Sequence, residues 1–265
     1  MNLNFDKIYK ENFNKLFRTA YRIVGNIEDT SDVLQESFLN AYKNFDNFKW
    51  ESSVSTWLYK IVVNCSLKYI KKRKSFPVTD IAKENGVTEE QFFNNLKSLD
   101  CVENNVLERN IKEMCLQLFV NCMPKQQRIT FVLKTLMKLS VKEVAVIMDI
   151  SPNAVKTNIH RVKMLTIKNM SDRCSLINPD GLCTCKGWAK RTILNKTEHY
   201  VPQYYKNQEC SPAMTEEIKL SIKNELNFLY KVSYLYNNDP DYMSSDEFIT
   251  KMKETIEFKK LNIFK

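Results

Sequence analysis

The sequence predicts an all-α protein, and three observations carry that reading. Only 4 glycines and 7 prolines punctuate 265 residues, few runs alternate with a period of two, and apolar residues return at helical spacing in segment after segment. A chain of this length holds two or three small domains, each with a modest core. Charge separates them. Residues 1–75 carry a net +5, 76–110 a net −4, 111–170 a net +7 and 171–265 a net +1, within a total of +9. That pattern predicts two basic modules, an acidic connector and a nearly neutral tail. A polyanionic partner suits both modules, although charge alone would serve a membrane surface equally well. No apolar run approaches the ~18 residues that span a bilayer, and the opening stretch MNLNFDKIYKENFNKL lacks the apolar centre of a signal peptide. A cytoplasmic chain without membrane insertion is expected, with its 8 cysteines reduced.

Residues 5–24 repeat Phe5, Ile8, Tyr9, Phe13, Leu16, Phe17, Ala20 and Ile23, which predicts one helix with one buried face, stopped at Gly25. Glu28, Asp29 and Asp32 suit the positive end of a second helix, through Asn44, whose inner stripe is Val33, Phe38, Ala41, Tyr42 and Phe45. A different face of that helix carries Asp32, Gln35, Glu36 and Leu39 as surface neighbours. Acidic and amide groups around a leucine fit a protein partner better than DNA, whose phosphates would repel them. The plainer reading is an ordinary solvated face. From Phe45 the chain turns aromatic and basic. The Ser-rich stretch Ser52–Thr56 predicts a loop and then a helix capped by Ser55 or Thr56, carrying Trp57, Tyr59, Lys60, Asn64 and Lys68 and ending in Lys71-Lys72-Arg73-Lys74. Cations are favoured at a helix C-terminus in any case. Aromatics interleaved with them are more telling, since unstacked bases need flat apolar surfaces and their phosphates need neutralising.

Pro77 and Gly86 break the periodicity of residues 76–110, which read as a flexible acidic connector. Residues 111–138 supply two helices around Met123-Pro124, with Leu116, Phe119, Val120, Ile129, Phe131, Val132 and Leu136 as core. Leu139–Lys168 then reads as two helices joined at Asp149-Ile150-Ser151, with Ser151-Pro152 as the start signal of the second. This is the helix-turn-helix pattern, whose second helix enters the major groove. Its outward face carries Asn153, Lys156, Thr157, His160, Arg161 and Lys163 after the capping Ser151, a mixture of base-edge readers and phosphate neutralisers. A helical hairpin inside a bundle would show the same apolar spacing, but the face from Asn153 to Lys168 contains no acid.

Four motifs in order, DVLQESF at Asp32–Phe38, STWLYKIVVN at Ser55–Asn64, MPKQQR at Met123–Arg128 and the helix-turn-helix, resemble an extracytoplasmic-function (ECF) sigma factor of bacterial RNA polymerase. The resemblance implies sigma region 2 over residues 1–75, a linker over 76–110, region 4 over 111–170 and an extension over 171–265. It implies that Asp32, Leu34, Gln35, Glu36 and Phe38, with Leu39 beside them, lie in the segment that docks on the β′ clamp helices of the polymerase core. Trp57 matches the tryptophan that wedges at the upstream edge of the melted promoter, Lys60 and Asn64 match contacts to the −10 element, and Asp46–Ser55 matches the loop that captures an extruded base. Trp50, Lys68, Lys71 and Arg73 complete the candidate −10 and melting set. Region 4 would read the −35 element of promoter DNA and touch the β flap. The resemblance also leaves room for an anti-sigma factor. One departure stands out: Asp149 occupies a turn position that the family usually gives to glycine, and aspartate tolerates a left-handed backbone better than most residues.

The tail opens with RCSLINPDGLCTCKGW, where Cys174, Cys183 and Cys185 bracket a Pro-Asp-Gly turn. Clustered thiols in a reducing compartment suggest zinc, with Cys210 or His199 as a fourth ligand, against unligated cysteines or a redox pair. Two amphipathic helices follow, over 216–238 and 244–264, and the extension is expected to be mostly helical. No cofactor is otherwise required. No Gly-rich phosphate loop or Ser/His/Asp arrangement is present, and the 2 histidines, His160 and His199, stand far apart in sequence, so no enzymatic activity is expected. The function that follows is promoter selection and strand opening with core polymerase. A free-standing helix-turn-helix regulator and a metal or redox sensor acting through the tail cysteines are the rival readings.

Overall fold

The computed structural model describes residues 3–70, 86–98, 105–121, 123–171, 173–194 and 246–254. Among these residues every regular element is helical, and the only β feature is an isolated bridge between Cys174 and Cys183. The all-α expectation holds.

Helix α1 (Leu3–Val24) ends where Gly25 turns to φ 96° and donates its N–H to the Tyr21 carbonyl at 2.8 Å. Helix α2 (Ile27–Asn44) is capped by the Asn26 side chain, which accepts the Asp29 N–H at 2.8 Å, with Glu28 and Asp29 in the first turn. Helix α3 (Val54–Tyr69) starts earlier than Ser55 or Thr56: Ser53 is its cap and accepts the Thr56 N–H at 3.1 Å. Four hydroxyl residues within five positions offer equivalent caps, and only tertiary packing selects among them. Phe5 ties α1 to α2, with its ring 5.4 Å from Phe38, 5.7 Å from Tyr42 and 5.2 Å from Phe45.

Helix α4 (Glu89–Ser98) lies inside the stretch expected to be a flexible connector. Its acidity hides two core residues, because Phe92 and Phe93 are buried and pack against Val87, Leu182, Cys183 and Trp188. Helix α5 (Asn105–Asn121) follows, then α6 (Lys125–Thr130), which continues as a π-helical turn over Phe131–Leu136. Helix α7 (Val141–Met148) carries a complete capping box between Ser140 and Glu143. Hydrogen bonds from the Ser140 hydroxyl and backbone N–H to the Glu143 carboxyl hold it below its usual range. Helix α8 (Pro152–Thr166) is started by Ser151, whose hydroxyl accepts the Ala154 N–H at 3.1 Å, and it runs on as a π-helical stretch over Ile167–Ser171. Helix α9 (Cys185–Leu194) and helix α10 (246–254) complete the described elements.

Asp149 adopts φ 55°, ψ 47°, the left-handed cap foreseen at this turn, and its N–H bonds the Ala145 carbonyl. A side chain in this backbone state costs about 1–2 kcal/mol, against roughly 0.5–1 kcal/mol that glycine loses in chain entropy. Asp149→Gly is therefore expected to stabilise the chain by up to about 1 kcal/mol, read as a small rise in melting temperature.

The chain divides into two compact units whose borders differ from the expected modules. One collects the described parts of Met1–Lys72, Arg128–Asn158 and Asp239–Lys265, and the other those of Arg73–Gln127 and Ile159–Asn238. In the first, α1, α2 and α3 form a bundle, α3 also packs on α7, and the buried Arg128 donates from Nη1 to the Ile23 carbonyl at 3.0 Å. In the second, α9 packs on α5 and α4.

Candidate protein and nucleic-acid interfaces

Helix α2 sorts its candidate docking residues into two groups. Asp32 is exposed, and Gln35, Glu36 and Leu39 are half-buried at the surface. Leu34 and Phe38 do not belong with them: they are 1% and 0% exposed and form the bundle interior with Val33 and Ala41. Their spacing of four places both on the inner stripe. The Leu34 carbonyl accepts the Tyr9 hydroxyl at 3.4 Å, and burial raises the pKa of that phenol.

The α3 residues Trp57, Lys60, Asn64 and Lys68 share one face, at intervals of three, four and four. Trp57 and Lys60 are half-buried; Asn64 and Lys68 are exposed. The opposite face buries Leu58, Tyr59, Val62, Val63 and Cys65. Burial pushes the Tyr59 hydroxyl up to about 12, so it stays a neutral core group.

Before α3, Trp50 is 64% exposed at φ 58°, an uncommon backbone state for a bulky side chain. Phe48 joins the two tryptophans, with its ring 5.0 Å from Trp50 and 4.9 Å from Trp57, while Trp57 also lies 6.2 Å from Phe45. The result is an aromatic surface beside a cationic helix face. Phe48 is the residue the sequence reading left out of this site. Its only sequence signal is its place in an aromatic run, which does not show that it bridges two tryptophans.

Lys68 is engaged within the protein. Its ammonium forms an ion pair and hydrogen bond with Glu36, and that bond raises the Lys68 pKa. A residue expected to face DNA is thus tied to one expected to face protein. Lys71 and Arg73 lie outside the described residues.

On α8, Val155, Asn158, Val162 and Thr166 are buried. Asn153, Lys156, Thr157, His160 and Arg161 form an exposed stripe following Ser151, and the Thr157 hydroxyl donates to the Asn153 carbonyl at 3.0 Å. Lys163 is half-buried at the stripe's edge. Met164, 52% exposed, extends the stripe and was not foreseen, since an apolar residue at helical spacing reads as core.

Cys174 and Cys183 meet across the isolated bridge, where the Cys183 N–H donates to the Arg173 carbonyl at 2.8 Å and the Ser175 N–H to the Cys183 carbonyl at 3.0 Å. Gly181 closes the turn between them, and a Cβ there would meet the Arg173 carbonyl oxygen at 2.7 Å. Cys174 accepts backbone N–H groups from Leu176 and Ile177, and Cys183 accepts the Trp188 indole N–H at 3.4 Å. Burial nevertheless raises the Cys174 thiol and pushes Cys183 up to about 11. Among the described residues no three His, Cys, Asp or Glu side chains are placed to hold a metal ion, and Cys185 begins α9 without completing such a group. His199 and Cys210 lie outside the described residues.

Comparison with known proteins agrees with this layout. The family model for Sigma-70 region 2 matches residues 8–76, and that for Sigma-70 region 4 matches residues 113–165. The ECF RNA polymerase sigma factor SigW of Bacillus subtilis is 32% identical over 169 residues, which covers 62% of this chain and 86% of the relative. The chain belongs to the ECF sigma factors. The RNA polymerase sigma factor YlaC of Bacillus subtilis is 24% identical, over 63% of this chain and 92% of its own length. The ECF RNA polymerase sigma-E factor of Escherichia coli (strain K12) is 30% identical, over 51% and 70%. The aromatic surface and α3 therefore belong to sigma region 2, and the α8 stripe to the helix-turn-helix of region 4. The residues matched by the two family models end before the Cys174–Cys183 turn. No helix among the described residues is long and apolar enough to cross a membrane.

Proposed function

We propose that this sigma factor docks on the β′ clamp helices of core RNA polymerase through Asp32, Gln35, Glu36 and Leu39. The α8 stripe then grips the −35 element as duplex, with region 4 against the β flap, and the aromatic surface of Phe48, Trp50 and Trp57 receives the opened −10 strand. The observation that carries this reading is the exposed aromatic surface beside Lys60 and Asn64. Stacking on a flat ring recovers the free energy of unpairing a base, and a nearby cation offsets the phosphate charge. On α8, Lys156, His160 and Arg161 supply donors for phosphates or guanine edges, and Asn153 offers the amide geometry that suits adenine.

In vitro transcription with purified core polymerase tests the reading. Addition of the full chain is expected to give transcripts from a discrete start site on a cognate promoter, and core alone to give none. A protein that binds its site tightly without polymerase, in a symmetric footprint, and yields no transcript would be a free-standing regulator instead.

A further inference from the structure

Helix α10 buries Phe248, Ile249 and Met252 and leaves Asp246, Glu247, Thr250, Lys251 and Glu254 exposed. The buried residues do not pack on one another alone. Phe248 inserts between α1 and α2, with its ring 5.0 Å from Phe13, 6.1 Å from Tyr9 and nearly parallel to it, and 6.0 Å edge-on from Phe38. Two ion pairs fix the direction of docking: Lys10 with Asp246, and Asp6 with Lys253 at 2.6 Å, seven residues further along α10. Since Asp6 precedes Lys10, α10 runs antiparallel to α1.

The described turns of α10 carry one apolar stripe, and that stripe is buried in this groove. The groove borders the face proposed to meet polymerase. On α2, Gln35 lies three residues before Phe38 and is its neighbour on the helix surface, so a helix seated on Phe38 stands beside Gln35. We infer that the α1–α2 groove is a helix-binding site whose resident occupant is α10, and that α10 competes with core polymerase for region 2. This rests on the docking face proposed above. The tail then acts as an internal inhibitor, displaced when the sigma factor joins the core. The affinity observed for polymerase equals the intrinsic affinity multiplied by the fraction of chains with the groove open.

The test is the affinity of full-length variants for core polymerase, with thermal melting of each as a folding control. Phe248→Asp puts a charge against three rings and opens the groove, and it is expected to tighten core binding by about tenfold or more. Asp246→Lys breaks one exposed ion pair and is expected to tighten binding by up to about fivefold. Adding Lys10→Glu to Asp246→Lys restores the pair with reversed polarity and is expected to return the affinity toward the wild-type value. Unchanged affinity across these folded variants overturns the inference, as does weaker binding by Phe248→Asp with a collapsed melting transition, which would make α10 a plain part of the bundle core. Wild-type chain and variants that all fail to bind core overturn the docking face itself, and the inference with it.

Discussion

Phe38→Ala is expected to melt the α1–α3 bundle, whereas Gln35→Ala, one turn away on the same helix, leaves it folded and weakens polymerase binding. Phe38 is fully buried, with its ring 4.8 Å from Tyr9, 5.4 Å from Phe5 and 6.0 Å from Phe248. Truncation removes the apolar side chain and leaves a cavity that neighbouring rings cannot fill, a loss of about 3–5 kcal/mol. A domain with roughly 5–15 kcal/mol to lose does not absorb that without a large fall in melting temperature. Gln35 is half-exposed and belongs to the outer face with Asp32, Glu36 and Leu39. Its truncation changes stability by roughly 0.5 kcal/mol or less. Urea melts and co-purification with core polymerase, run on both variants, separate the two roles. A stable Phe38→Ala protein that loses only polymerase would return Phe38 to the docking face, where the family motif alone had placed it.

That pair of residues shows how far the sequence could be read. The 3.6-residue period identified Phe38 as interior, while the DVLQESF motif pooled interior and surface residues because motifs record positions rather than faces. Helix ends were legible where one strong signal stood alone, as at Gly25 and Ser151-Pro152, and ambiguous where Ser52, Ser53, Ser55 and Thr56 compete. Composition misled at α4, because charged residues can cover a helix whose few aromatics are buried, as Phe92 and Phe93 are. Contacts between distant segments left no local trace. Nothing in the sequence around Lys68 pointed to Glu36, and nothing in the tail pointed Phe248 toward Tyr9 and Phe13. The cysteines were the opposite case. Their clustering suggested ligation; in the structure Cys174 and Cys183 meet across a tight turn closed by Gly181, and among the described residues no third ligand joins them.

Trp57→Ala is expected to impair opening of a duplex promoter far more than binding to one already melted. In the structure Trp57 leans on Phe48, which leans in turn on Trp50, so truncation removes one wall of the aromatic surface and lets the other two rings move. Stacking one base on an aromatic side chain contributes about 1–3 kcal/mol, which corresponds to a loss of roughly 5- to 150-fold in open-complex formation. A premelted promoter has already met the unpairing cost, so the deficit there should shrink to a few fold. Trp57→Phe keeps a smaller ring on Phe48 and should fall between the two. Because Trp57 is only half-buried, the bundle behind it, built on Leu58, Tyr59 and Val62, should keep most of its stability, and a melting curve provides that control. Equal losses on duplex and premelted templates would mean that Trp57 holds the α3 face in place instead of prising the strands apart. The burden of opening would then pass to Trp50, the more exposed of the two tryptophans, held outward by its left-handed backbone.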